Sequence, residues 1–146
     1  MKTKIYFGVF LMTCLSGCKK DNVGPTTGEL YNKPLSVIKA SIEGNWQLHY
    51  AIGGIGNVLQ NFDSTNWEFN FQNQDRIKQY YEGKIVTDST ITWNKGQDNY
   101  SGQSYIMGFY DKLGYPYSYI VDGIYEDTLV MHDNYDDAMF YHLTKQ

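Results

Sequence analysis

Gly44-Asn45-Trp46-Gln47-Leu48-His49-Tyr50-Ala51-Ile52 sets the rhythm of this chain. Trp46, Leu48, Tyr50 and Ile52 alternate with Asn45, Gln47 and His49, the signature of a strand with one face in a core and the other in water. Trp67-Glu68-Phe69-Asn70-Phe71-Gln72 repeats the pattern. Six further strand-like runs follow, at 77–82, 85–93, 100–109, 117–122, 128–132 and 138–143. They are separated by the turn-forming stretches Asn73-Gln74-Asp75, Glu82-Gly83-Lys84, Lys95-Gly96-Gln97-Asp98, Lys112-Leu113-Gly114 and Asp133-Asn134-Tyr135-Asp136. Pro116 opens a run, where proline is tolerated. No connection is long enough for a parallel crossover. The expectation is an all-β antiparallel meander of eight strands that closes into a barrel and so removes its edges. Its inner face holds Trp46, Leu48, Tyr50, Trp67, Phe69, Phe71, Ile91, Trp93, Tyr141 and Leu143. A barrel of eight strands is just wide enough to be filled by side chains or to hold one small ligand.

Toward the N-terminus the period changes. Leu35, Ile38 and Ile42 recur at helical spacing after Pro34, a suitable first-turn residue, and predict one short capping helix. The stretch from Lys19 to Lys33 has little to bury and cannot offset its own ordering entropy, so residues 18–33 read as a flexible tether ahead of a domain at 34–146. Fifteen such residues reach roughly 50 Å when extended. Ahead of them, Lys2 and Lys4 introduce an apolar run from Ile5 to Leu15. Those 11 residues fall short of the about 20 needed to cross a bilayer. A basic start, a short apolar stretch and small residues before a cut form the layout of a signal peptide, here residues 1–17. Removing 17 of the 146 residues leaves 129 and takes Lys2 and Lys4 away, so 10 basic residues face 16 acidic ones and the formal charge moves from −4 to −6. That balance excludes a basic nucleic-acid footprint and a polybasic membrane patch.

Cys14 lies inside the apolar run and Cys18 follows it, so the mature chain keeps one cysteine and no disulfide framework. Leu15-Ser16-Gly17-Cys18 resembles the lipobox of bacterial lipoproteins. The resemblance implies cleavage before Cys18 and acylation of Cys18, and two or more acyl chains anchor stably where one does not. Lys19 directly after the cysteine resembles an outer-membrane sorting residue, which implies a lipid anchor in the outer membrane, first in its periplasmic leaflet and second at the cell surface.

Gly44-Asn45-Trp46, after a short helix, resembles the Gly-x-Trp motif on the first strand of lipocalins. With the lipobox, the short length and the ending Phe140-Tyr141-His142-Leu143-Thr144-Lys145, the chain resembles the small lipocalin-like lipoproteins of Bacteroidetes over roughly residues 35–145. In that family the motif tryptophan closes the barrel floor and a basic residue of the last strand packs on it. Gly44, Trp46 and Lys145 hold the matching positions here, although lipocalins proper more often use arginine.

Candidate chemistry is sparse. His49, His132 and His142 lie on three strands without metal-ligand spacing, and His132-Asp133 beside Asp136-Asp137 reads as a solvated hairpin tip rather than a cation site. Gly53-Gly54-Ile55-Gly56 lacks the Lys-Ser/Thr of a phosphate loop and reads as a flexible first loop. No Gly-x-Ser-x-Gly motif is present. No metal, cofactor or catalytic group is assigned, and an enzyme is not expected. Asp63-Ser64-Thr65, Asp88-Ser89-Thr90 and Asp127-Thr128-Leu129 resemble a three-residue O-glycosylation sequon of exported Bacteroidetes proteins, with Ser64 the position in an evident loop.

Tyrosine is abundant, with 14 in the chain. Most fall on strands, where aromatic residues pack well. Tyr110, Tyr115, Tyr117 and Tyr119 straddle Gly114-Tyr115-Pro116, and Tyr115 and Tyr117 are candidates for surface recognition of a glycan or protein. Two function classes result. One is a monomeric, membrane-tethered protein that binds a small apolar or amphipathic ligand at the barrel's open end, with Tyr50, Phe71, Tyr81, Tyr105 and Tyr119 as its lining. The other is a filled barrel that recognises a partner through loop aromatics. A cavity on the order of 300 Å³ or more separates them.

Overall fold

The computed structural model describes residues 27–100 and 102–146. The expected signal peptide, Cys18 and the first part of the tether lie outside the described residues.

The chain folds as β1 (Gly28–Glu29), α1 (Leu35–Ile42), β2 (Gly44–Gly53), β3 (Val58–Asn61), β4 (Trp67–Gln72), β5 (Arg76–Tyr81), β6 (Lys84–Thr90), β7 (Thr92–Asp98), β8 (Gly102–Tyr110), β9 (Pro116–Tyr125), β10 (Thr128–Asp133) and β11 (Met139–Lys145). All ladders are antiparallel, and the hydrogen-bonded order is β6-β5-β4-β2-β11-β10-β9-β8-β7, with β3 on β2 and β1 on β9. The sheet curls into a half-barrel, and its strands number eleven rather than eight.

Three differences account for the count. The run 85–93 is broken at Ile91, which is buried and whose N–H donates to Asp75 O, so the chain leaves β5 and starts afresh as β7 against β8. Lys95-Gly96-Gln97-Asp98 is therefore strand and not turn. Gly96 serves packing there: a Cβ at that position would lie 2.8 Å from Ile106 Cδ1. Next, β3 forms a short outer hairpin with the far half of β2. Finally, the ordered body begins ahead of Pro34. β8 pairs with β9 only from Ile106 to Tyr110, and beyond that point Gly28 and Glu29 take the edge of β9. Leu30 is fully buried and donates its N–H to Asp122 O, so these tether residues complete the sheet instead of hanging free.

The core follows the alternation. Trp46, Leu48, Phe69, Phe71, Ile77, Met107, Phe109, Leu129, Met131 and Leu143 are buried together, and Ile38 and Ile42 of α1 cover one end. Trp67, Trp93 and Tyr141 pack against this core part-buried. Tyr50 departs from it. Leu143 pairs with Leu48 but His142 pairs with Tyr50, so His49 is an extra residue in β2. A bulge of one residue reverses the faces beyond it. Ala51 is buried in place of Tyr50, which lies on the outer face stacked on His142 at 4.2 Å between centroids.

The helix end is fixed by Trp46. Its Nε1–H donates to Ile42 O at 2.7 Å, satisfying one of the carbonyls a helix leaves unpaired at its C-terminus. Lys145 Nζ lies 5.4 Å from the Trp46 ring centroid, a cation–π contact between the first long strand and the last. Gly44 turns the chain from α1 into β2 at φ 126°, a conformation that L side chains rarely adopt, and a Cβ there would meet Lys145 Cε at 3.5 Å. Trp46→Phe is expected to cost about 1–3 kcal/mol, because it orphans a buried carbonyl, whereas Lys145→Ala costs about 0.5–1 kcal/mol. Chemical denaturation of the two variants measures the difference, and equal losses would refute this role for the indole N–H.

Candidate functional site

β6 and β7 end the sheet order without pairing to each other. Facing the free edge of β6 is the turn between β8 and β9, linked to it by Lys112 N–H to Val86 O at 3.2 Å. Val86 is itself an extra residue, since Gln79 pairs with Thr87 and Tyr80 with Ile85. The turn is stiffened from within: Asp111 Oδ1 accepts from Leu113 N at 2.8 Å and from Tyr115 N at 2.9 Å. A strand edge that cannot complete its ladder leaves space beside it, and here the space is a cavity of about 600 Å³. This is an ordinary size for a small-molecule site.

Its walls are apolar. Phe62, Trp67, Tyr81, Val86, Leu113 and Tyr117 line it, together with Thr65, Gln79, Thr87, Asp111 and Lys112. Trp67 opens β4 and pairs with Tyr81 at the end of β5, so register alone brings the two rings to one place. They meet edge-on at 5.6 Å between centroids, and Phe62 meets Trp67 the same way at 5.7 Å. Phe62 is held by its N–H to His49 O and by Thr65, whose hydroxyl and amide both donate to Phe62 O. On the far wall Tyr117 stacks on Phe109 at 5.5 Å. Burial, aided by the negative charge of Asp111, raises the Tyr117 phenol above its ordinary range, so it stays a neutral donor.

Of the five residues expected to line a ligand pocket, Tyr81 alone lines this cavity, while Tyr105 and Tyr119 border separate, smaller ones. Phe71 is buried in the core beside Gly44. Tyr119 is buried among Phe109, Tyr117 and Tyr141, and burial raises its phenol well above the usual value. Tyr105 is part-buried with Lys95 Nζ 5.9 Å from its ring, apart from the cavity, and Tyr50 faces outward. Of the surface pair, Tyr115 is 63% exposed, while Tyr117 belongs to the cavity wall. Phe62, Val86 and Leu113 were not anticipated. Phe62 and Leu113 sit in turns, where period-two reading is silent, and Val86 sits in a bulge. Comparison with family models, with curated proteins and with solved structures returns no match.

The histidines build two other polar sites. His49 bridges the wall, with Nδ1 2.6 Å from Asp63 Oδ1 and Nε2 2.6 Å from Thr144 Oγ1. This contact lowers the Asp63 carboxyl below its ordinary range. His132 does not join Asp133 and Asp136 at a hairpin tip. It is fully buried on the face opposite the core, with Nδ1 2.8 Å from Asp122 Oδ2 and Nε2 3.3 Å from Asp98 Oδ1. Tyr100 and Phe140 pack over its ring. Asp98 is at the end of β7 and also accepts from Tyr100 N and Ser104 Oγ, so His132 ties the β7–β8 hairpin to β9 and β10. Asp133 instead accepts from Met139 N and from the Tyr141 hydroxyl. Among the described residues no group of three or more His, Cys, Asp or Glu is placed to hold a metal ion.

Burial opposes charge on His132, but the bonds and charges of Asp122 and then Asp98 outweigh it and raise its pKa above 6.5. A raised histidine pKa contributes stability that is complete below the unfolded value and is lost as pH rises through the folded value. His142, stacked on Tyr50, is lowered by burial, so it opposes folding as pH falls below 6.5. On the alkaline side of about pH 6.5 the wild type should therefore lose stability that His132→Asn does not. Urea midpoints between roughly pH 6 and 9 check this, and parallel curves for both proteins would refute it.

Proposed function

We propose that this chain is a membrane-anchored, lipocalin-like binding protein, monomeric, that holds a small apolar or amphipathic ligand in the cavity beside β6. The observation that carries the reading is that cavity: about 600 Å³ behind an unpaired strand edge, walled by Phe62, Trp67, Tyr81, Val86, Leu113 and Tyr117. A filled barrel has no such space. The aromatic rings present flat faces to an apolar guest, and four of the six wall residues named are aromatic. The Gly44, Trp46 and Lys145 arrangement supports the lipocalin-like reading, because helix, first long strand and last strand meet there as the resemblance implies. The lipobox-like segment supports an anchor through acylated Cys18 in the outer membrane, facing the periplasm.

The second reading, recognition of a protein or glycan through loop aromatics, has its own observation. Tyr110 at the end of β8 and Leu113 and Tyr115 on the β8–β9 turn are 62%, 82% and 63% exposed. It predicts that a protein or glycan, rather than a small molecule, co-purifies from native membranes, and that Tyr115→Ala releases it.

Binding of N-phenylnaphthylamine, an uncharged apolar fluorophore, tests the first reading. Its fluorescence should rise with the full chain, and Val86→Trp, which fills the cavity, should weaken binding by about tenfold or more. Failure of the wild type to bind, or unaltered binding by Val86→Trp, would remove the cavity from the account. Labelling with palmitate in the native host tests the anchor: incorporation should vanish in Cys18→Ser. Intact mass of the native protein reads Ser64, which is exposed in the β3–β4 loop.

A further inference from the structure

The cavity wall carries a buried polar pair. Gln79 and Thr87 face each other across β5 and β6, and they are 3% and 0% exposed. Thr87 Oγ1 donates to Gln79 Oε1 at 2.5 Å, which satisfies the hydroxyl and the amide oxygen. The amide nitrogen, Gln79 Nε2, has no partner among the described residues. Trp67 Nε1, on the same wall, is buried and likewise has no partner among the described residues, and a buried donor without an acceptor is unusual enough in native proteins to call for a reason. A side chain that lines an apolar cavity and keeps a donor unused is ready for an acceptor that arrives with the guest.

The charge of that acceptor follows from its surroundings. Among the cavity's lining residues the single cation is Lys112, which is exposed on the β8–β9 turn. A carboxylate carried in to Gln79 would be stripped of water with no counter-charge beside it, a far larger penalty than one neutral hydrogen bond returns. An uncharged oxygen has no such penalty.

We infer that the occupant is a neutral amphiphile that enters oxygen first, with a carbonyl or hydroxyl oxygen accepting from Gln79 Nε2 and its apolar body against Trp67, Tyr81 and Tyr117. This rests on the binding reading proposed above and narrows it: long-chain or ring alcohols, ketones and esters fit, and free carboxylic acids do not.

Displacement of N-phenylnaphthylamine from the full chain by three guests of equal length tests it. Decanol and methyl octyl ketone should displace the fluorophore about tenfold better than decanoate, the size of effect one hydrogen bond and one avoided desolvation supply. Replacing Gln79 and Thr87 together, as Gln79→Leu with Thr87→Val, removes both polar groups and keeps the shape, so the fold should persist; thermal melting checks that. In this variant decanol and the ketone should lose their advantage over a plain hydrocarbon, and Lys112→Ala should alter neither. Decanoate displacing as well as or better than decanol, with the gain lost in Lys112→Ala, would overturn the neutral-head inference and leave a binding cavity standing. If the wild type does not take up the fluorophore at all, the binding reading fails and this inference fails with it.

Discussion

Everything distinctive about this fold follows from an incomplete ladder. β6 and β7 adjoin in the chain but stand at opposite ends of the hydrogen-bonded order, separated by Ile91. Its N–H goes to Asp75 O, so the turn is satisfied locally and nothing draws the two strands together. An unpaired edge normally invites association. In this protein the β8–β9 turn leans across it, with one backbone bond from Lys112 to Val86, and the gap that remains is lined by rings. The cavity is thus a by-product of where the sheet fails to close, positioned by the same residues that end it.

The opposite end has no slack. Trp46 joins helix, first long strand and last strand through one hydrogen bond and one cation contact. Lys39 ties α1 to the β4–β5 turn through Asp75, and its ammonium also sits 5.9 Å from the Trp93 ring. The molecule is thus tied together at its α1 end and open along one wall.

Much of this was legible in the sequence. Period two placed β2, β4, β5 and β8 to β11, because a half-buried strand must alternate. It also predicted part of the core, namely Trp46, Leu48, Phe69, Phe71, Ile91 and Leu143, but did not name Ile77, Met107, Phe109, Leu129 or Met131. It failed at three single residues, His49, Val86 and Asp122, each an extra residue in its ladder. A bulge leaves no trace in a hydropathy pattern, yet it decides which way the following side chains face. That is why Tyr50 was expected inside and lies outside. Residues 28–30 were hidden for another reason: their neighbours are polar, and what recruits them is the bare edge of β9, a tertiary fact. The cavity wall was half legible, since the strand residues Trp67 and Tyr81 follow from register while the turn residues Phe62 and Leu113 do not.

The pairing of β2 with β11 sets a schedule as well as a shape. Trp46 lies opposite Lys145, about a hundred residues further along the chain. Contacts of such sequence separation form slowly, because loop closure must be met before they reward it. The sheet cannot be completed without β11, which lies between β2 and β10 in the hydrogen-bonded order. Until that strand pairs, β2 has β3 and β4 but not its other neighbour.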